Sequence, residues 1–129
     1  MAGDAARIFR GLSSQSAALA AAGNNLIVEH IVETEAWLAR LVQLLAPFDV
    51  FFVGLHCPLP ELERRERARG DRHIGEAYDD QRKVHSFGVY DLELEATDSP
   101  DLNVSTVISA WKARRRPSAF DQMADRESC

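Results

Sequence analysis

Five arginines, Arg64, Arg65, Arg67, Arg69 and Arg72, fall within nine positions of the stretch that runs from Glu61 to Arg72. On a continuous helix Arg65, Arg69 and Arg72 share one face, at i, i+4 and i+7. Converging guanidiniums suit phosphoryl oxygens, because each presents a planar fork of donors that stays charged at any working pH. From spacing alone the stretch reads more readily as a solvated, salt-bridged surface helix, since Glu61–Arg65 and Glu63–Arg67 are i, i+4 pairs in the favourable orientation. A second candidate is Glu29-His30, which follows the apolar run Leu26-Ile27-Val28. An acid at the end of a parallel strand can hold a metal-bound water or orient a nucleophile, but a strand that has simply surfaced carries the same pair. His56-Cys57 follows a second apolar run. Neighbouring side chains on extended backbone point opposite ways, so Cys57 reads as a small buried hydrophobe rather than an activated nucleophile. His56, His73 and His85 do not fall at a metal-ligand spacing, and no metal cage is expected. The sequence contains no G-x-x-x-x-G-K-S/T loop, no G-x-G-x-x-G and no G-x-S-x-G elbow.

Positioning these residues requires a fold, and the periodicities suggest one. Residues 5–22 read as a helix with Ile8, Leu12 and Leu19 on one face, stopped by Gly23-Asn24-Asn25. Leu26 to Val32 reads as a buried strand that turns polar at its C-terminal end. Thr34 caps a helix over 35–46 whose broad apolar face includes Trp37, Leu38, Leu41 and Val42. Phe48 to Leu55 reads as a second strand covered on both faces. Pro58 and Pro60 suit the first turn of a helix over 59–69. Residues 70–89 are polar, with a short helical turn near 76–83. Tyr90 to Glu95 alternates with period two, as an edge-type strand does. Ser99-Pro100-Asp101 starts a helix whose Val104, Val107, Ile108 and Trp111 form the expected buried stripe, closed by Arg114-Arg115-Arg116. Residues 117–129 read as a flexible tail. Strands alternating with helices give an α/β fold, a three-layer parallel sheet with helices on both faces.

Composition narrows the function classes. The chain has 129 residues, 46% apolar and 27% charged, with a net charge of −5. That size supports one domain, and an acidic balance argues against general nucleic-acid binding. No apolar run approaches a membrane span, and Met1-Ala2-Gly3-Asp4 lacks the layout of a secretory signal. Cys57 and Cys129 form no disulfide framework. These features predict a reduced, cytoplasmic protein.

Several segments together are distinctive. Phe51-Phe52-Val53-Gly54-Leu55-His56-Cys57, the stretch Leu62 to Arg72 with its Ala68-Arg69-Gly70-Asp71-Arg72 ending, Val84-His85, and Tyr90-Asp91-Leu92-Glu93-Leu94 occur in this order. They resemble the C-terminal portion of the chloramphenicol phosphotransferase-like family, small P-loop kinases, over about residues 5–112. The resemblance implies that residues 70–89 are the lid, over a kinase-like domain spanning 1–116. It implies that Arg69 and Arg72 contact ATP phosphates, with Arg65 added from geometry. It places Glu29 and His30 at the acidic strand end near magnesium and substrate, and His85 on the substrate side. ATP and Mg2+ are the implied cofactors and a small hydroxyl compound the implied acceptor.

In that family a first strand, the Walker A loop, a helix and a second strand ending in the catalytic aspartate precede the part matched here. The expected fold is therefore P-loop kinase-like but without the first two strands and the P-loop. Phosphoryl transfer depends on those pieces, so the chain alone is expected to be inactive. The missing first strand would also leave apolar strand edges open, which favours homo-oligomerisation through those edges. Two main readings result: an ATP-dependent O-phosphotransferase lineage, or a non-catalytic module that oligomerises or binds a partner. An unrelated α/β domain carrying a solvated arginine helix is the third.

Overall fold

The computed structural model describes residues 2–30, 32, 34–70 and 89–127. The expectations for Arg72, His73, His85, Cys129 and the turn at 76–83 lie outside the described residues. Helix α1, Ala2–Ala21, is alanine-rich, and it buries two hydroxyls without leaving them unsatisfied. Ser13 donates to the Phe9 carbonyl at 2.8 Å and Ser16 to the Leu12 carbonyl at 2.9 Å. Gly23 leaves the helix with φ of 93°, a backbone state that costs glycine nothing. Helix α2, Glu35–Leu45, starts as its sequence predicts: the Thr34 side chain accepts from the Trp37 amide at 3.1 Å.

The expected strand over 26–32 is corrected. Residues 24–30 form no strand, and Ile27 is fully exposed, with Leu26 and Val28 at 40% and 47%. β-Branched residues favour strands only where a neighbouring strand pairs with them. Here the pairing goes elsewhere. Strand β1, Val53–His56, pairs in parallel with β2, Leu92–Glu95, from Val53 opposite Leu92 to His56 opposite Glu95. Among the described residues these two form the whole sheet, which together with five helices makes an α/β fold.

Strand β1 is shorter than the predicted 48–55 because something else takes the Phe52 amide. The Asp91 carboxylate accepts from it at 2.7 Å, while the Asp91 amide donates to the Phe52 carbonyl at 2.8 Å. The other Asp91 oxygen accepts from the Ala119 amide at 2.8 Å. One side chain thus ties the start of both strands to a late segment. Beside it the Tyr90 ring lies over Gly54, and an added Cβ there would sit 2.6–2.7 Å from ring carbons.

Helix α3, Leu59–Arg69, ends on Gly70 at φ of 69°. Helix α4, Pro100–Lys112, is capped by Ser99, whose hydroxyl accepts from the Leu102 amide at 3.1 Å. Its apolar stripe is a second correction, because no residue of α4 is buried. Val104 is 57% exposed, and Ile108 and Trp111 are each 48% exposed. The helix packs against β2 alone, through the side that carries half-buried Val107, and no other described element reaches the stripe.

The tail is the third correction. Residues Ala119–Glu127 form helix α5, and Ala119, Phe120 and Met123 enter the core. They pack with α2, where Leu38, Leu41 and Val42 are buried, and Phe9 of α1 joins the same cluster from the α2 side. Phe9 is stacked on Trp37 at 4.4 Å between ring centroids, and Phe120 meets Phe52 edge-on at 5.1 Å. No helix among the described residues is long and apolar enough to cross a membrane.

Replacing Asp91 with alanine removes the acceptor of two part-buried amides. The expected loss is about 2–4 kcal/mol in urea unfolding, and a loss below ~0.5 kcal/mol would remove Asp91 from its structural role. Gly54→Ala should cost about 1–3 kcal/mol by driving the Tyr90 ring off β1, read by the same unfolding series.

Candidate functional site

The arginine-rich helix meets the C-terminal end of the sheet. Strand β1 ends at His56, and Cys57-Pro58 leads directly into α3. Proline at the helix entry suits this turn, because the first helical amides need no partner within the helix. The Ala96 amide then donates to the His56 carbonyl at 2.7 Å, extending the pairing one step past β2. Asn103 of α4 donates to the Glu95 carbonyl at 3.0 Å. Helices α3 and α4 therefore both approach the edge where parallel strands end, the usual place for ligands in such folds.

Glu61 organises the charge on α3. Its carboxylate accepts from Arg64 at 2.9 and 2.6 Å and from the Arg65 Nε at 2.8 Å. These two guanidiniums hold the Glu61 carboxyl down at about 2, against an ordinary value of 4.5. Arg65 Nη2 also reaches the Ala96 carbonyl at 3.4 Å, linking α3 to the end of β2. The i, i+4 pair Glu63–Arg67 is looser, at 3.9 Å. Arg69 lies exposed in the last turn, one helical turn beyond Arg65, where a cation also offsets the negative end of the helix dipole. Gly70 donates its amide to the Glu66 carbonyl at 3.2 Å and turns the chain out of the helix. The structure thus brings Arg65 and Arg69 to one face. Arg72 and His85 lie outside the described residues.

Glu29 and His30 are placed elsewhere. Glu29 is exposed in the irregular segment after α1, and the His30 ring lies 4.8 Å from that of Phe9. Since 24–30 is not a strand, no sheet edge carries this pair. Among the described residues no group of three or more His, Cys, Asp or Glu side chains is placed to hold a metal. Cys57 is half-buried, less enclosed than its sequence reading predicted.

Two features escaped sequence reasoning. His56 Nε2 lies 2.9 Å from Glu93 Oε1 across the two strands, with the Tyr90 ring edge-on to the imidazole at 5.9 Å. Burial and the Glu93 charge push the Tyr90 phenol up. The signal was the parallel pairing itself, which sets Glu93 opposite Gly54, two positions before His56. The second feature is a cavity of about 380 Å³ at the opposite, N-terminal end of the strands, lined by Asp49, Asp91, Arg114, Arg115, Arg116 and Ser118. Its arginines are largely engaged. Arg114 forks onto Asp49 at 2.7 and 3.1 Å, and Arg116 forks onto Asp121 at 2.8 and 3.0 Å. Asp121 also closes a reciprocal cap with Ser118, and Arg116 and this cap hold its carboxyl at about 2. The signal was the Ser118-x-x-Asp121 spacing.

Comparison with known proteins follows the same segments. A family model described as chloramphenicol phosphotransferase-like protein matches residues 4–112. Two candidate O-phosphotransferases, from two strains of Mycobacterium tuberculosis, are each 31% identical over 105 residues, covering 81% of this chain and 47% of each relative. The chain spans about half the length of these curated relatives. No solved structure matches it.

The Glu61 cluster has a pH signature. A carboxyl lowered by folding contributes stability that is complete above its unfolded value and lost as pH falls through its folded value. For Glu61 that window runs from 4.5 down to about 2. In a carboxyl-detected NMR titration Glu61 should show a midpoint near 2, rising toward 4.5 when Arg64 and Arg65 are both replaced by alanine. An unshifted midpoint in the unmodified protein would dissolve the cluster.

Proposed function

The chain belongs to the chloramphenicol phosphotransferase-like family, and on that premise we propose that it forms part of an ATP-dependent O-phosphotransferase acting on a small hydroxyl compound. The proposal includes a three-layer, P-loop kinase-like architecture, of which the β1–β2 pair and its helices are one portion. The observation that carries it is the pair of guanidiniums, Arg65 and Arg69, on the α3 face that leads to the Gly70 turn. A residue in the left-handed conformation there lets the chain leave the helix abruptly, which suits a segment that closes over phosphates.

Guanidiniums fit the phosphates of ATP by charge and by donor geometry. Bound ATP supplies the transferable γ-phosphoryl group, which passes to the acceptor's hydroxyl oxygen as that oxygen loses its proton and ADP departs. In this scheme Arg69, joined by Arg72, contacts phosphate oxygens and neutralises their charge. Arg65 acts as a positioning residue, since Glu61 and the Ala96 carbonyl already fix its head group. The described residues offer magnesium no converging set of ligands, and no step is assigned to it. A second reading, a non-catalytic module that binds a partner, is favoured by the exposed apolar face of α4.

None of the 129 residues forms a Walker A loop, so the chain by itself should show no ATP turnover. Two arginines at an exposed helix end should still bind polyphosphate weakly, with Kd on the order of 1 mM at low salt. Calorimetric titration with ATP and with inorganic tripolyphosphate tests this. Binding should weaken with added salt and be lost in Arg69→Ala. Micromolar affinity, or binding that survives Arg69→Ala, would overturn the assignment of Arg69. Absence of any heat at low salt would favour the non-catalytic module.

A further inference from the structure

One face of α4 leaves large apolar side chains in solvent. Val104, Ile108 and Trp111 lie at i, i+4 and i+7, a continuous apolar strip about 10 Å long, and each keeps roughly half of its surface in water. An exposed strip of three large apolar side chains on one helix, rather than scattered singly, is the pattern that marks a contact surface. Its widest member is already held in place. The Arg114 guanidinium lies 4.2 Å over the Trp111 ring and is itself anchored on Asp49, so the ring presents a fixed surface. A rigid aromatic anchor loses little freedom on binding.

The charges that flank the strip identify the occupant. Asp101 stands in the first turn of α4 and Lys112 in the last, on the same side of the strip, about 16 Å apart along the axis. Asp98 and Arg115 stand just beyond the two ends of the helix, at positions centred on the same midpoint between Thr106 and Val107. All four side chains are exposed, and none forms an ion pair among the described residues. A two-fold axis through that midpoint makes α4 antiparallel to its copy. It lays Asp101 of one protomer beside Lys112 of the other, and Asp98 in the neighbourhood of Arg115, each pair occurring twice. It also sets Val104 of one protomer between Ile108 and Trp111 of the other. Self-complementarity of this kind, with the same patch meeting itself, is the property an isologous interface requires.

We infer that α4 is a homodimer interface, in which two copies of this chain pack antiparallel through Val104, Ile108 and Trp111 and are registered by Asp101–Lys112 ion pairs. This route runs through a helix face rather than through open strand edges. The inference stands apart from the phosphotransferase reading, because it uses none of the α3 arginines. It places the interface on α4, an element that makes no direct packing contact with α3.

Sedimentation and light scattering of the full chain at micromolar concentration should give twice 14.4 kDa. Ile108→Glu should return the chain to monomer with its far-UV spectrum unchanged, since the side chain it replaces is half exposed. Lys112→Glu and Asp101→Lys should each weaken the dimer about tenfold by setting like charges together, and the two combined should restore it. That restoration is the signature of antiparallel self-pairing, which a different partner or an open strand edge would not produce. A monomer at all concentrations overturns the inference. So does a dimer indifferent to Ile108→Glu, or charge reversals that fail to rescue one another.

Discussion

The Asp91 carboxylate is the contact on which the described fold depends. Its two oxygens accept from the Phe52 and Ala119 amides, residues far apart in sequence that must arrive together. Two parallel strands of four residues form too small a sheet to stand alone. What holds them is a charged acceptor that satisfies the amide before β1 and the first turn of α5 at once. Hydrogen bonds to an ionised acceptor are among the stronger ones a protein makes, and this pair sits where Phe52 and Phe120 also touch. The core and the polar tie are therefore one assembly. Aromatic packing supplies the attraction, and Asp91 fixes the direction in which each segment enters.

Local signals in the sequence hold in the structure, and signals that need a distant partner do not. Thr34 and Ser99 cap their helices because a cap involves only residues three positions away. The α3 boundaries, from the prolines to Gly70, are likewise set by nearby backbone. The apolar run at 26–28 looked like a strand, yet a strand exists only when another pairs with it, and β1 pairs with β2. The segment after Pro117 looked like a tail because it is short and charged. Its Ala119, Phe120 and Met123 are nevertheless what α2 packs against.

The candidate site shows the same division. That Glu61 and Arg65 interact was legible from their spacing, and the structure keeps that pair. Arg64 joins them as a local i, i+3 neighbour, whereas that Arg65 reaches the Ala96 carbonyl was not legible, because it depends on how the helix sits against the end of β2. The consequence is chemical. A guanidinium already bound to a carboxylate and a carbonyl has fewer donors left for a phosphate than its sequence position suggests. Arg69 stands one helical turn further on, beside the Gly70 turn, and it is this position that gives it a different role from Arg65 in the proposed reaction.

Two helices of similar pattern, α4 and α5, end on opposite sides of the surface. By composition α4 has the stronger claim to burial, with Val104, Ile108 and Trp111 in register, while α5 is short and charge-rich. Burial went to α5 because Asp91 and the Ser118–Asp121 cap fix its first turn against the core. Helix α4 is attached to β2 by its other side, through Asn103, so its apolar strip points outward by construction. Hydrophobic periodicity marks which face of a helix needs covering, but anchoring contacts decide what covers it. Where those contacts turn the strip away from the core, no described element covers it.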